Sequence, residues 1–133
     1  MAGQTPGMSA VDELLGKDVW AVVGLSPDPS RAAYGVAAFL QARGKRIVPV
    51  HPSAQEVHGE KGYARLQDVP FPVEVVDCFV NSRLVGPVVD DAIAVGAQGV
   101  WMQLGVVDDA AAQRARDAGL TVVMDRCPKI EWR

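Results

Sequence analysis

Short apolar runs alternate with amphipathic segments along this chain. The runs predict β-strands at residues 19–23, 46–50, 73–79, 99–103 and 121–124. The segments between them have the periodicity of helices, and three predicted helices end at Gly44, Gly96 and Gly119, shortly before the next strand. Helices that alternate with strands in this way are typical of a parallel sheet with right-handed crossovers.

Capping residues mark the boundaries of the predicted helices. Ser9 precedes Asp12 by three positions, which predicts a short helix that ends at Gly16. The other helices are predicted from about Ser30 to Arg43, from Pro87 to about Val95 and from Asp108 to Ala118. Pro87 is placed first in its helix because proline is favoured at that position.

The segment 53–72 interrupts the alternation. Its glycines and prolines predict an irregular stretch with one short edge strand near Tyr63 and a helical turn at 66–69. Together with the regular elements, this predicts an α/β fold: a Rossmann-like, doubly wound parallel sheet of five or six strands in a three-layer α/β/α arrangement. Residues 1–7 are predicted to be a flexible tail, and residues 8–133 a single domain.

Composition narrows the range of functions. Of the 133 residues, 49% are hydrophobic and 22% are charged, which suffices for one packed core. The formal net charge of −3 argues against a general nucleic-acid binder, which would carry a basic stripe. No apolar run approaches the ~20 residues of a membrane span. The two cysteines are too few for a disulfide scaffold. The first residues lack the basic start of a secretion signal. We therefore expect a cytoplasmic protein that binds neither nucleic acid nor membrane.

The turn after the first strand is the candidate ligand site. In an open parallel sheet, ligands bind outside the carboxyl ends of the strands, where the first turn presents backbone N–H groups and the positive end of a helix. Gly24 allows a sharp turn, Ser26 offers a hydroxyl, and Arg31 lies near the start of the helix. All three suit a phosphate, although a glycine at this point also occurs in folds that bind nothing there.

The same region departs from the dinucleotide-binding pattern G-x-G-x-x-G. Ser26 and Pro29 replace its second and third glycines. Val50, His51 and Pro52 stand where an acidic residue would bind a ribose 2′-hydroxyl. Because no carboxylate repels a phosphorylated ribose there, coenzyme A (CoA) is favoured over NAD, while NADP would also fit.

Several segments resemble the stand-alone CoA-binding domain proteins, over roughly residues 10–133. These are residues 22–26 (V-V-G-L-S), 47–52 (I-V-P-V-H-P), 59–63, 66–70, 75–79, 97–105 and 125–129, together with Arg31, Val36 and Leu40. That family is similar to the CoA-binding domain of the succinyl-CoA synthetase alpha subunit. The resemblance implies that CoA lies in the crevice at the first turn.

The resemblance also implies which residues contact the ligand. The first turn would hold the phosphates, the end of the second strand would border the nucleotide, and the residues after the third strand would line its adenine side. The predicted binding residues are Gly24, Leu25, Ser26, Arg31, Val50, His51, Pro52, Phe79, Val80, Asn81 and Gln103. His51 departs from the family, in which Asn is frequent at this position, and Leu25 stands where a smaller residue is usual.

These observations predict a non-catalytic module that binds CoA or an acyl-CoA. No catalytic constellation is visible, and the phosphorylated histidine used by related synthetases lies in a domain for which 133 residues leave no room. His51, His58 and Cys127 lack the spacing of metal ligands, so no metal site is predicted.

Two alternatives stay open: an NAD(P)-binding, redox-responsive regulator, and an accessory subunit of an acyl-CoA ligase. The sequence also leaves open whether the chain forms a homo-oligomer or joins a partner enzyme subunit. Whether Cys127, next to Arg126, is a reactive thiol is a further open question.

Overall fold

The computed structural model describes residues 9–132. The strands are β1 (Val19–Val23), β2 (Arg46–Val50), β3 (Val75–Cys78), β4 (Gly99–Met102) and β5 (Thr121–Val123). The helices are α1 (Ala10–Leu15), α2 (Ala32–Ala42), α3 (Val85–Ala94), α4 (Asp109–Asp117) and α5 (Pro128–Glu131), and a 3₁₀ turn covers Leu66–Asp68. The predicted tail, residues 1–7, lies outside the described residues.

The strands form one sheet in the order β2-β1-β3-β4-β5, and every neighbouring pair is parallel. From β1 the chain first goes out to β2 and then returns to β3 on the other side of β1. The direction of winding therefore reverses between β1 and β3, and such a switch point opens a crevice at the carboxyl ends of the strands. The predicted doubly wound parallel sheet is confirmed, with five strands.

A single bridge beside β2 stands where the edge strand near Tyr63 is predicted. The Tyr63 N–H donates to the Pro49 carbonyl at 2.9 Å, and the Tyr63 carbonyl accepts from the His51 N–H at 3.0 Å. The preceding rung of a parallel ladder, at residue 61, would need an N–H at position 49, which proline lacks. The edge strand consequently cannot extend from Tyr63 towards residue 61.

Helices cover both faces of the sheet, and each face has its own apolar core. One core contains buried side chains of α3 and α4, and the other contains those of α1 and α2 together with Cys127, which precedes α5. Trp20 and Trp101 are fully buried in the second core, with ring centroids 5.6 Å apart. The predicted three-layer arrangement is thus confirmed, because neither face is left to solvent.

Two helices begin two residues away from the predicted start, and α4 begins one residue later than predicted, at Asp109. The helix expected from Ser30 begins at Ala32, because the Asp28 carboxylate accepts from both the backbone N–H and the hydroxyl of Ser30 and holds that residue in a turn. The helix expected from Pro87 begins at Val85, with Leu84 as its cap. Proline is tolerated at the third position because the N–H groups of a first turn have no intrahelical acceptor.

Glu74 precedes the third strand, which is shorter than predicted at both ends. The apolar run predicts a strand over 73–79, and the strand observed is 75–78. The Glu74 backbone still bonds to the segments on either side, and its side chain adds a contact with the start of β1, where Oε1 accepts from the backbone N–H groups of Asp18 and Val19, both at 2.9 Å. This carboxylate ties the amino ends of β1 and β3 together at the edge opposite the crevice.

Candidate functional site

A cavity of about 800 Å³ lies at the carboxyl ends of β1 to β4. Nine of the predicted binding residues line it: Gly24, Ser26, Arg31, Val50, His51, Pro52, Phe79, Val80 and Gln103. They meet there because parallel strands place all their carboxyl ends at one edge of the sheet. Their contacts with a ligand stay predictions.

Leu25 and Asn81 are the two predicted residues that do not line the cavity. The Leu25 side chain is 1% exposed and packs in the core on the α2 face of the sheet. Asn81 is exposed, and its side chain accepts from the backbone N–H of Arg83 at 3.1 Å, within the turn that leads to α3. The Leu25 side chain therefore packs in the core, and the Asn81 side chain stabilises a turn.

Gly24 occupies the switch point between β1 and β3. Its φ is +98°, and its N–H donates to the Val50 carbonyl at 2.8 Å. An alanine Cβ here would overlap the Phe79 carbonyl oxygen and lie 3.2 Å from the Phe79 carbonyl carbon. Glycine is thus required twice, once for the backbone conformation and once because two chain segments meet without space for a side chain.

Backbone amides around this turn lack protein acceptors. Within the described residues, no acceptor contacts the N–H groups of Leu25, Ser26, Ala32 and Ala33. Ala32 and Ala33 begin α2, which starts without a side-chain cap. Unpaired amides at the positive end of a helix form a ready site for an anion.

Arg31 and Asp28 bring opposite charges to the same turn. Their Nε and Oδ2 atoms are 3.7 Å apart, and the side chains are 74% and 48% exposed. The side-chain and backbone hydrogen bonds from Ser30, together with the Arg31 charge, hold the pKa of Asp28 below its ordinary value. Asp28 is therefore ionised at neutral pH, and it would compete with a bound anion for the Arg31 guanidinium.

Gln103 lines the cavity above a buried carboxyl group. Its Nε2 donates to Oδ1 of Asp77, which is fully buried in β3, and within the described residues Asp77 Oδ2 has no hydrogen-bond partner. Burial raises the pKa of Asp77 to about 8, against a smaller lowering by the Gln103 hydrogen bond. Because the Gln103 amide nitrogen is engaged with Asp77, its carbonyl oxygen is left to accept a hydrogen bond.

The sequence missed the residues that segment 64–66 contributes to the cavity, and those that segment 84–106 contributes apart from Gln103. Leu84 and Leu104 are both 58% exposed, and they belong to an apolar part of the lining that also includes Val88 and Val106. Arg65 follows the Tyr63 bridge. The predicted edge strand is a signal that could have found Arg65, since the carboxyl-edge rule applies to that strand as well.

Neither cysteine is placed for chemistry at this cavity. Cys78 is fully buried, and burial, with the Asp77 carboxylate as a second cause, raises the pKa of its thiol. Cys127 is 9% exposed and precedes α5, an environment typical of structural rather than reactive thiols.

Residues 9–132 contain neither a cluster of metal ligands nor a membrane-spanning helix. No group of three or more His, Cys, Asp or Glu side chains is arranged to hold a metal ion. No helix in this part of the chain has the length and apolar character needed to cross a membrane.

The comparison with protein families gives one match over most of the chain. The family model described as a CoA binding domain matches residues 18–133. The match therefore includes the whole sheet and the cavity.

Individual relatives agree in length as well as in sequence. An uncharacterized Bacillus subtilis protein, YneT, is 33% identical over 128 residues, which are 96% of this chain and 95% of YneT. The structure of a hypothetical protein from Pyrococcus horikoshii OT3 has a TM-score of 0.88 and 37% identity, over 98% of this chain and 96% of that one.

A third similarity is to part of a larger protein. The alpha subunit of the ADP-forming acetate–CoA ligase II from Pyrococcus furiosus is 30% identical over 81 residues, which are 60% of this chain and 18% of the subunit. Only a small part of that subunit therefore corresponds to this chain.

Proposed function

This chain belongs to the CoA-binding domain family, and from that premise we propose that it binds CoA or an acyl-CoA through the nucleotide phosphates at the turn after β1. The observation that carries the proposal is the group of unpaired amides at residues 25–26 and 32–33, next to Arg31, at the switch point of the sheet. Amides and a guanidinium fit a pyrophosphate, which is multiply charged and accepts several hydrogen bonds. In this proposal residues 8–133 act as one binding unit in the cytoplasm.

The proposed role is binding without catalysis. Three of the titratable groups near the cavity make structural contacts or are buried: Nδ1 of His51 contacts Ser53, Asp28 accepts from Ser30, and Asp77 is buried. The hydroxyls in these contacts belong to Ser30 and Ser53, and neither serine lines the cavity. A nucleophile that lines the cavity and is hydrogen-bonded to a base would contradict this reading.

A second candidate role is that of an accessory subunit of an acyl-CoA ligase. It is supported by the similarity to part of the Pyrococcus furiosus ligase subunit. In such an assembly the chain would hold CoA while a partner enzyme subunit supplies the reacting groups. Copurification with a CoA ligase, and stimulation of its activity, would distinguish this role from CoA binding by the chain alone.

A ligand panel tests the proposed function. We expect CoA and acetyl-CoA to raise the melting temperature of the protein, since a ligand at about 100 times its Kd stabilises the folded state by about 3 kcal/mol. ATP and NAD should have much smaller effects at the same concentration. A response to NADP alone would contradict the proposal and favour the NAD(P)-binding regulator.

Two substitutions with opposite expected effects on CoA affinity test the first turn. Arg31→Ala should weaken CoA binding about 10-fold, the low end for a hydrogen bond to a charged group because the side chain is largely exposed. Asp28→Asn keeps the acceptor for Ser30 but removes the competing charge, and it should strengthen binding about threefold. Calorimetry in low salt measures both effects, and both should shrink at high salt. Equal effects of the two substitutions would exclude a phosphate at this turn.

A further inference from the structure

A second arginine lines the cavity at a place separate from Arg31. The bridge between Tyr63 and β2 sets the position of the segment that follows, so that Ala64, Arg65 and Leu66 all border the cavity. Leu66 packs in the core on the α3 face of the sheet, whereas the start of α2 packs on the opposite face. The two guanidinium groups therefore approach the cavity from different sides.

Arg65 has no charged partner in the described part of the chain. No carboxylate lies within 4.0 Å of its guanidinium, in contrast to Arg31, which contacts Asp28. Asp91 lines the same cavity, and its Oδ1 accepts from Nε2 of Gln67 at 2.6 Å. An exposed and unpaired guanidinium at the rim of a cavity is available to an anionic ligand.

His51 adds a second hydrogen-bond donor at the same end of β2. The backbone N–H of Ser53 donates to Nδ1 of His51 at 3.1 Å, and the Ser53 hydroxyl lies 2.8 Å from the same atom. A ring nitrogen that accepts from an N–H carries no proton, so the proton of the neutral ring resides on Nε2. His51 therefore presents an N–H, and it lines the cavity as Arg65 does.

We propose that Arg65, with His51, binds the phosphate on the ribose of CoA and so decides between CoA and its dephosphorylated form. In Rossmann-like sites the ribose lies at the end of the second strand, where an acidic residue selects a hydroxyl and an arginine accommodates a phosphate. Here that strand end carries two donors and no acid. Two separate cationic groups match the two anionic parts of CoA, the pyrophosphate at the first turn and the phosphate on the ribose. This inference rests on the proposed function.

Affinities for CoA and dephospho-CoA, measured by calorimetry, test the inference. The wild type should bind CoA about 10- to 100-fold more tightly, as expected for a hydrogen-bonded charge pair. Arg65→Ala should remove most of this preference by weakening CoA binding, while affinity for dephospho-CoA changes less than about twofold. Arg65→Lys should restore part of the preference, because it keeps the charge but loses the two-pronged geometry.

Arg116→Ala is the matched control, since Arg116 is exposed on α4 and does not line the cavity. It makes the same change in net charge and should leave both affinities as in the wild type. If Arg65→Ala weakens both ligands equally, or if the wild type does not discriminate between them, the inference is wrong while the proposed function stands. If the wild type binds neither ligand, the proposed function itself fails.

Discussion

Replacing Gly24 with alanine is expected to abolish CoA binding and to destabilise the fold by roughly 2–6 kcal/mol. The first part of this cost is the φ of +98°, which an L-residue adopts only with strain. The second part is the overlap of the new Cβ with the Phe79 carbonyl, which belongs to the backbone and cannot rotate away. To relieve the overlap, the ends of β1 and β3 must separate at the point where the proposed phosphate site lies.

Gly44→Ala is the control for this substitution. Gly44 has a φ of +84°, close to that of Gly24, but a Cβ there would meet nothing within 4 Å. Its loss of stability should therefore be about 1–2 kcal/mol, the conformational cost alone, with CoA binding retained. Urea denaturation measures the stability of both variants, and calorimetry measures their affinity for CoA. If the two variants lose equal stability and both bind CoA, the close approach of Phe79 is not what requires glycine at position 24.

Asp77→Asn should remove a large part of the dependence of stability on pH. The ordinary pKa of this carboxyl, 3.8, is raised to about 8 in the folded protein, chiefly by burial. Between these values the folded state holds a proton that the unfolded state has released. The free energy of unfolding should therefore fall by about 1.4 kcal/mol per pH unit from about pH 4 to pH 8, with the stabilisation complete below pH 4 and lost above pH 8.

Asparagine cannot ionise, and it keeps an oxygen that can accept from Gln103. The variant should consequently lose this slope and gain stability relative to the wild type as the pH rises. Urea denaturation at pH 5, 7 and 8.5 measures the difference. Asp117→Asn, an exposed substitution that changes the same chemical group, should follow the wild-type pH dependence. Parallel curves for Asp77→Asn and the wild type would show that Asp77 is ionised in the folded protein.

The two predictions concern neighbouring parts of the crevice. Gly24 allows β1 and β3 to meet beneath the first turn, and Asp77 in β3 orients the Gln103 amide at the end of the neighbouring strand β4. Gly24→Ala should therefore change binding through the shape of the cavity. Asp77→Asn should change the stability of the protein, and with it the pH range over which the protein stays folded and the cavity exists.

The sequence by itself determined the order of the five strands and of helices α1 to α4, and the edge of the sheet at which the cavity lies, but it did not predict α5. Apolar runs, helical periodicity and the glycines that end helices are local signals, because each reports the conformation of residues close together in the chain. The rule that parallel strands share a carboxyl edge then brought distant residues such as Gly24, His51 and Gln103 to one cavity. Element boundaries were less certain where a side chain makes a local competing bond, as Asp28 does with Ser30.

Only the tertiary structure decided which partners meet across the sheet. The contact of Gly24 with Phe79, the missing partner of Asp77 and the position of Arg65 all depend on strand order and register. These join residues far apart in sequence, and no local pattern encodes their distances. Periodicity states which face of an element is buried, whereas packing between elements decides which atoms are left without a partner and are free to bind a ligand.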